Sequence, residues 1–359
     1  MDNKKVVVGM SGGVDSSVAA YLLQQQGYDV IGVTMEIWQR EDSCLTEAEG
    51  GCCGLSAVED AGRVAAKLGI PYYVMNFKDV FKKHVIDDFI NEYMAGRTPN
   101  PCIVCNRKVK WEAMLKRSLD IGAGYIATGH YSRIERLQNG RYAVKRSVTD
   151  KKDQTYALYS LTQEQLKHTI MPVGEYTKEE IRGIAEKIGL NVASKPDSME
   201  ICFVPDKDYA GFIEKSIDRP VPEGDFVDTS GNVIGRHKGI IHYTVGQRKG
   251  LNLAMGYPVF VTAIEPGTNR VVIGKDGDVY TDRLTAARLN HMSEERFCED
   301  KIYMGKIRYN HKGTKCKVRY INDDTIECIF LEPVRAVTPG QSLVLYDGDY
   351  IAGGGVISA

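Results

Sequence analysis

The sequence predicts an α/β protein: a doubly wound parallel sheet, then a small mixed, β-rich domain, then a C-terminal β-barrel. Three observations predict it. Up to about Val204, short β-branched runs alternate with amphipathic segments, the rhythm of a sheet covered by helices on both faces. Beyond that point short β-rich stretches and Gly-containing turns dominate, as at 228–232 and 276–278. From about Arg283 to the end only strands and turns are legible, which suits a small barrel. The expected domains are therefore 1–205, 206–280 and 281–359.

The elements follow in order. Val6-Val7-Val8 is an apolar strand, and 16–26 is a helix closed by Gly27. A second strand spans 28–37, an amphipathic helix 56–68, and a third strand 71–76. Helices are expected at 77–94 and 108–121, and Tyr125-Ile126-Ala127-Thr128 is a short buried strand. Asn139-Gly140 between two alternating runs signals a hairpin. Thr177-Lys178-Glu179-Glu180 is a capping box that opens a helix through Ile188.

Composition narrows the function classes. The chain has 359 residues, 43% hydrophobic and 26% charged, which suits a folded protein of two or three domains rather than a disordered one. A net charge of -1 gives no global attraction for a polyanion, so nucleic acid must be met by local patches. A strand pattern beginning at Lys4 argues against a signal peptide, and no apolar run approaches the roughly 20 residues of a membrane helix. Nine cysteines without a secretory signal point to a reducing cytoplasm and to thiol or metal chemistry.

The stretch after the first strand, Gly9-Met10-Ser11-Gly12-Gly13-Val14-Asp15-Ser16-Ser17, reads as a phosphate cradle. Glycines without Cβ atoms let the backbone approach an anion, and the N–H groups of the following helix point at it. Ser11, Ser16 and Ser17 offer hydroxyls, and Asp15 offers a carboxylate for Mg²⁺. No Gly-Lys-[Ser/Thr] follows and G-x-G-x-x-G is absent, so this is neither a Walker loop nor a dinucleotide fingerprint. Gly129 and His130 follow a buried strand, at the edge where such sheets bind ligands. His130 reads as a general acid or as a core hydrogen bonder, and Met35, ending the second strand, as a packing surface for a base.

Two other features carry chemistry. Thr98-Pro99-Asn100-Pro101 leads into Cys102-Ile103-Val104-Cys105-Asn106-Arg107, which places Cys105 just ahead of the helix expected from Lys108, where the helix dipole and nearby cations favour a thiolate. Cys202 follows a Lys195-Pro196 turn, while Cys316 and Cys328 sit in strand-like segments and read as inert core thiols. Cys44, Cys52 and Cys53 lie in a Gly-containing loop. Between Lys301 and Asn322 there are seven Lys or Arg and no acid, and Lys315, Lys317 and Arg319 alternate with Cys316, Val318 and Tyr320. A strand there presents one basic face, suited either to phosphates or merely to water.

The loop resembles that of the N-type ATP pyrophosphatases. Over nearly its whole length, through GMSGGVDSSVAAYLL, GRTPNPC, YIATGHY, KDQTY, SMEICF, YTVGQRKGL and TPGQS, the chain resembles the bacterial tRNA-specific 2-thiouridylases. That resemblance implies ATP-dependent adenylation of the C2 oxygen of a wobble uridine in tRNA, followed by replacement of the oxygen with sulfur. It implies ATP contacts at Gly9, Met10, Ser11, Gly12, Gly13, Val14, Asp15, Ser16, Met35 and Gly129, with Mg²⁺ to offset phosphate charge. It implies that Cys202 carries sulfur as a persulfide and that Cys105 is its partner, able to close a disulfide with it. It carries tRNA contact onto Asn100, Pro101, Cys102, His130, Lys152, Asp153, Gln154, Arg308, Tyr309 and Gln341, and it implies a sulfur donor such as a cysteine desulfurase or a relay protein. The related pattern often has Asp where this chain has Cys102. With Cys105 and Cys202, that third thiol leaves two mechanisms open: a persulfide relay, or an iron–sulfur cluster on three thiolates. The competing readings are an amidating N-type ATP pyrophosphatase and a non-enzymatic iron–sulfur or RNA-binding adaptor.

Overall fold

The computed structural model describes residues 4–37, 55–193 and 201–358. Cys44, Cys52, Cys53 and residues 194–200 lie outside the described residues. Among the described residues, no helix is long and apolar enough to cross a membrane. The chain divides into two compact units. One holds the described residues of Met1–Val85, Cys102–Lys207 and Asp349–Ile351; the other holds those of Ile86–Pro101, Asp208–Gly348 and Ala352–Ala359.

In the first unit β1 (Lys5–Gly9), β2 (Asp29–Glu36), β3 (Tyr72–Asn76), β4 (Tyr125–Ala127) and β7 (Thr169–Ile170) form one sheet in the order β3-β2-β1-β4-β7, with every pairing parallel. Val6, Val7 and Val8 are fully buried because a parallel strand is covered on both faces. α1 (Val14–Gln25) and α2 (Leu55–Leu68) follow β1 and β2. Val14, Val18, Ala19, Leu22 and Leu23 of α1 pack with Val6 and Val8, with Ala61 and Val64 of α2, and with Ile181 and Ala185 of the helix Lys178–Lys187. The capping box that opens this last helix forms as expected: Glu180 N–H donates to Thr177 Oγ1 at 3.2 Å, and Thr177 N–H donates to Glu180 Oε2 at 2.7 Å. The hairpin β5 (Ser132–Arg136) and β6 (Tyr142–Arg146) turns at Asn139-Gly140, where Gly140 has φ +83°.

One helix begins earlier than the sequence suggested. The run 101–120 starts at Pro101 rather than near Lys108, passing from Pro101–Val104 through wide π-type turns at Cys105–Met114 to Leu115–Asp120. Proline bars helix interiors but suits their start, because at the first helical position it gives up only an N–H that has no intrahelical partner. Cys105 therefore lies inside the helix, and Cys102 takes the N-terminal position that had been expected for Cys105.

In the second unit β8 (Gly224–Asp228), β9 (Val233–His237), β10 (Phe260–Glu265) and β11 (Arg270–Gly274) form a mixed sheet in the order β10-β11-β8-β9. Its 228–232 turn is tied by Asp228, whose Oδ1 accepts from the N–H groups of Ser230 and Asn232. β12 (Tyr280–His291), β13 (Tyr303–Lys306), β14 (Thr314–Asn322), β15 (Thr325–Arg335), β16 (Ser342–Asp347) and β17 (Tyr350–Ile357) run in the order β12-β15-β14-β13-β16-β17. Antiparallel pairing of β12 with β17 closes the barrel. Closure leaves no sheet edge to protect.

Candidate active site

β1 and β4 are neighbours, yet the chain visits β2 and β3 on the far side of β1 before it returns to β4. Their C-terminal ends bound the crevice where open α/β sheets bind ligands. The loop Ser11–Gly13 leaves β1 there, and Thr128, Gly129 and His130 leave β4.

The loop is shaped by its glycines. Gly12 has φ +68°, and a Cβ on it would lie 2.5 Å from Ala57 O. A Cβ on Gly129 would lie 2.6 Å from Ser16 N and 3.0 Å from Asp15 Cβ, so only glycine lets the β4 loop rest on the start of α1. Gly13 caps α1 without a side chain, which leaves the first N–H groups of the helix for an anion. Ser16 Oγ accepts from Ser11 N–H at 3.1 Å and donates to Gly13 O at 3.2 Å. Ser17 departs from its expected place among the phosphate donors: it is fully buried and its hydroxyl donates to Gly13 O at 2.8 Å. Met10 is tied to β2, its N–H donating to Val33 O and its carbonyl accepting from Thr34 Oγ1. Met35 is half-buried at the end of β2, level with Met75 of β3.

Asp15 has partners that local sequence reasoning missed. Lys178 Nζ lies 2.8 Å from each of its carboxylate oxygens, and Tyr131 OH donates to Oδ1 at 2.7 Å. Lys178 and Tyr131 are both buried. The signal for Lys178 was hidden in plain sight, since it is the first residue of the capped helix. Tyr131 is held in turn by Gln154, whose Oε1 accepts from Tyr131 N–H at 2.8 Å while its own N–H donates to Tyr131 O.

His130 Nδ1 is 2.7 Å from Thr128 Oγ1, and its ring lies 5.7 Å from that of Trp111. Burial first, and the Lys110 charge second, hold its pKa well below the ordinary 6.5, so it stays a neutral hydrogen-bonding group at pH 7. Lys110 Nζ donates to Asn106 Oδ1 at 2.9 Å, and Asn106 in turn donates to Ala157 O.

The thiols differ in setting. Cys102 is exposed, whereas Cys105 and Cys202 are half-buried. Phe203, next to Cys202, meets Phe81 edge-on at 5.9 Å. Phe81 closes a short helix that packs against the Cys105–Met114 segment, so Cys105 and Cys202 are anchored to one neighbourhood of the first unit. Among the described residues, no three His, Cys, Asp or Glu side chains are gathered as metal ligands. Cys102 stands three positions before Cys105, at the exposed start of the helix. Cys316 and Cys328 lie in the barrel core, where burial first and the neighbouring Cys316 second push the Cys328 thiol up, away from reactivity.

The residues expected to meet RNA are distributed over both units. Lys315, Lys317 and Arg319 are exposed on β14, with Cys316 and Val318 buried between them. Arg319 is paired across the sheet with Glu327 at 2.8 Å, so it is partly neutralised. Tyr309 is exposed, and Arg308 donates to Arg335 O. Gln341 donates to Thr98 O at 2.9 Å and to Pro99 O at 3.3 Å, which fixes the strand of chain leading into Asn100 and Pro101. Asp153 accepts from Arg146 at 3.3 Å and from Thr155 Oγ1 at 3.0 Å, and Lys152 is half-buried beside it.

Comparison with known proteins agrees along the chain. Family models described as "tRNA methyl transferase HUP domain", "tRNA methyl transferase PRC-barrel domain" and "Aminomethyltransferase beta-barrel domain" match residues 4–206, 210–275 and 281–357. The chain is 66% identical over 354 residues to the tRNA-specific 2-thiouridylase MnmA of Lachnoclostridium phytofermentans, covering 99% of each. It is 55% identical to that of Clostridioides difficile, covering 99% of this chain and 98% of the relative. With that of Acetivibrio thermocellus it shares 57% identity, over 99% of this chain and 100% of the relative. Identity at this level over the full length leaves one conclusion: the chain belongs to the bacterial tRNA-specific 2-thiouridylase family.

Proposed function

We propose that this chain is a tRNA sulfurtransferase that adenylates the C2 oxygen of a wobble uridine and then replaces that oxygen with sulfur. The observation that carries the reading is the pairing, within one compact unit, of a phosphate-cradling loop at the β1–β4 switch point with the half-buried thiols Cys105 and Cys202. The C2 oxygen bonds to the α-phosphorus of ATP, and pyrophosphate leaves with the electron pair of the broken bond. The outer sulfur of a Cys202 persulfide then attacks C2, and AMP leaves with the former C2 oxygen, a departure that activation makes feasible. Cys105 thiolate attacks the inner sulfur, which frees the thiocarbonyl and leaves a Cys105–Cys202 disulfide for a cellular dithiol to reduce. A persulfide-bearing desulfurase or relay protein reloads Cys202.

Backbone N–H groups of Gly12, Gly13, Val14, Asp15 and Ser16 would hold the phosphates, with Gly9, Met10, Ser11, Met35 and Gly129 lining the rest of the nucleotide. Asp15, together with phosphate oxygens, would hold Mg²⁺, which offsets phosphate charge. Asn100, Pro101, Cys102 and His130 would frame the target base, and Lys152, Asp153, Gln154, Arg308, Tyr309 and Gln341 the rest of the tRNA. In this division residues 1–205 carry the chemistry, 206–280 connect, and 281–359 grip tRNA in the cytoplasm. An amidating relative has no use for the two thiols, and an adaptor has no use for the loop.

The test uses two variants that stop the reaction at different points. Asp15→Ala should abolish tRNA-dependent pyrophosphate release with tRNA binding intact. Cys202→Ser should still release pyrophosphate while forming no 2-thiouridine. Normal turnover by Asp15→Ala, or thiolation by Cys202→Ser, refutes the corresponding half of the scheme.

A further inference from the structure

Asp15 is the second residue of α1, close to where the loop is built to receive a polyphosphate. An uncompensated carboxylate there would repel the ligand. Lys178 supplies the compensation: both carboxylate oxygens lie 2.8 Å from its ammonium, and its side chain is only 8% exposed. The helix Lys178–Lys187 aims it from 163 positions away, and the Thr177–Glu180 box fixes that helix end. Stability alone is a weak account of the pair, because a buried ion pair contributes little over a well-packed apolar one. Its position beside the cradle offers a better account.

We propose that Lys178 is an exchangeable counter-charge of the ATP loop. It neutralises Asp15 until nucleotide arrives, then turns its ammonium to the phosphates that depart as pyrophosphate. The inference rests on the adenylation reading above and adds to it a residue that acts on the leaving group. Electrostatics gives it a distinctive signature. Removing Lys178 takes a cation away from the anion site, whereas removing the charge of Asp15 takes away the carboxylate that competes for that cation. A pair that merely braced the fold would respond alike to either loss.

The experiment measures binding of inorganic pyrophosphate without Mg²⁺, so that only protein charges are compared, to the full chain by titration calorimetry, with thermal melts as a check on folding. Lys178→Met should weaken binding by about tenfold or more, as expected for a lost charge-assisted contact, and Lys178→Arg should keep most of it. Asp15→Asn should tighten binding by about threefold, the opposite sign. In turnover, Lys178→Met should lower kcat for pyrophosphate release with tRNA affinity unchanged. If Lys178→Met does not melt cooperatively, the double variant Asp15→Asn with Lys178→Met, which leaves no charge unpaired, takes its place and should bind as weakly. Equal weakening by Lys178→Met and Asp15→Asn, or wild-type affinity in Lys178→Met, overturns the role of Lys178 and leaves the loop assignment standing. Failure of the wild-type chain to bind pyrophosphate, joined to normal turnover by Asp15→Ala, overturns the loop assignment itself.

Discussion

At the scale of single residues, the site is a set of small decisions about where charge and bulk are allowed. Gly12 and Gly129 are legible in the sequence as glycines, but the neighbours that forbid a side chain there, Ala57 and the start of α1, come from other elements. The sequence admits His130 as a general acid or as a core hydrogen bonder. Desolvation first, and the Lys110 charge second, favour its neutral form. The consequence for stability has a definite sign. The unfolded chain takes up a proton near pH 6.5 and the native imidazole does not, so this contribution is fully present above that pH and is lost as pH falls toward the lowered native value. His130→Gln removes the titration. Denaturant unfolding at pH 7.5 and 5.5 should therefore show wild type losing more stability on acidification than the variant. An equal loss in both would mean that the folded imidazole protonates freely.

At the scale of elements, patterning was read well where one element explains itself and poorly where a partner decides. The capping box at Thr177, the Asn139-Gly140 hairpin and the alternation on β14 are local, and each forms as the spacing implies. The start of the 101–120 helix was missed because proline ends helices from within yet is well suited to begin them. The basic stripe needed its neighbour as well. β14 itself holds no acid, but Glu327 of β15 sits opposite Arg319. If the stripe meets tRNA phosphates, Lys315 and Lys317 should supply most of the salt dependence, each loss lowering the slope of log K against log salt by about 0.7–0.9. Arg319→Ala should change it less, since the Glu327 carboxylate opposite already offsets part of its charge. Filter binding across a salt series checks this, and a slope unaltered by the Lys315→Ala and Lys317→Ala pair would assign the stripe to plain solvation.

At the scale of the whole molecule, the two units are built around separate sets of buried residues, Val6 to Val192 in one and Leu284 to Ile357 in the barrel of the other. Leu345 is fully buried in that barrel core. Leu345→Ala should destabilise the second unit by about 2–5 kcal/mol, the usual range for such a truncation. tRNA retention should fall with it at elevated temperature, while pyrophosphate binding at the β1 loop persists. Parallel loss of both activities on heating would show that the units melt as one. By itself the sequence determined the fold class and marked the phosphate-loop pattern, because residue periodicity and short spacing are properties of neighbouring positions along the chain, whereas Cys105 and Cys202 stood out through the family resemblance. Only the tertiary structure decided that Lys178 and Tyr131 close on Asp15, and that Gln154 pins Tyr131. Those relations join residues far apart in sequence, and they are fixed by how strands and helices pack rather than by any local pattern of side chains.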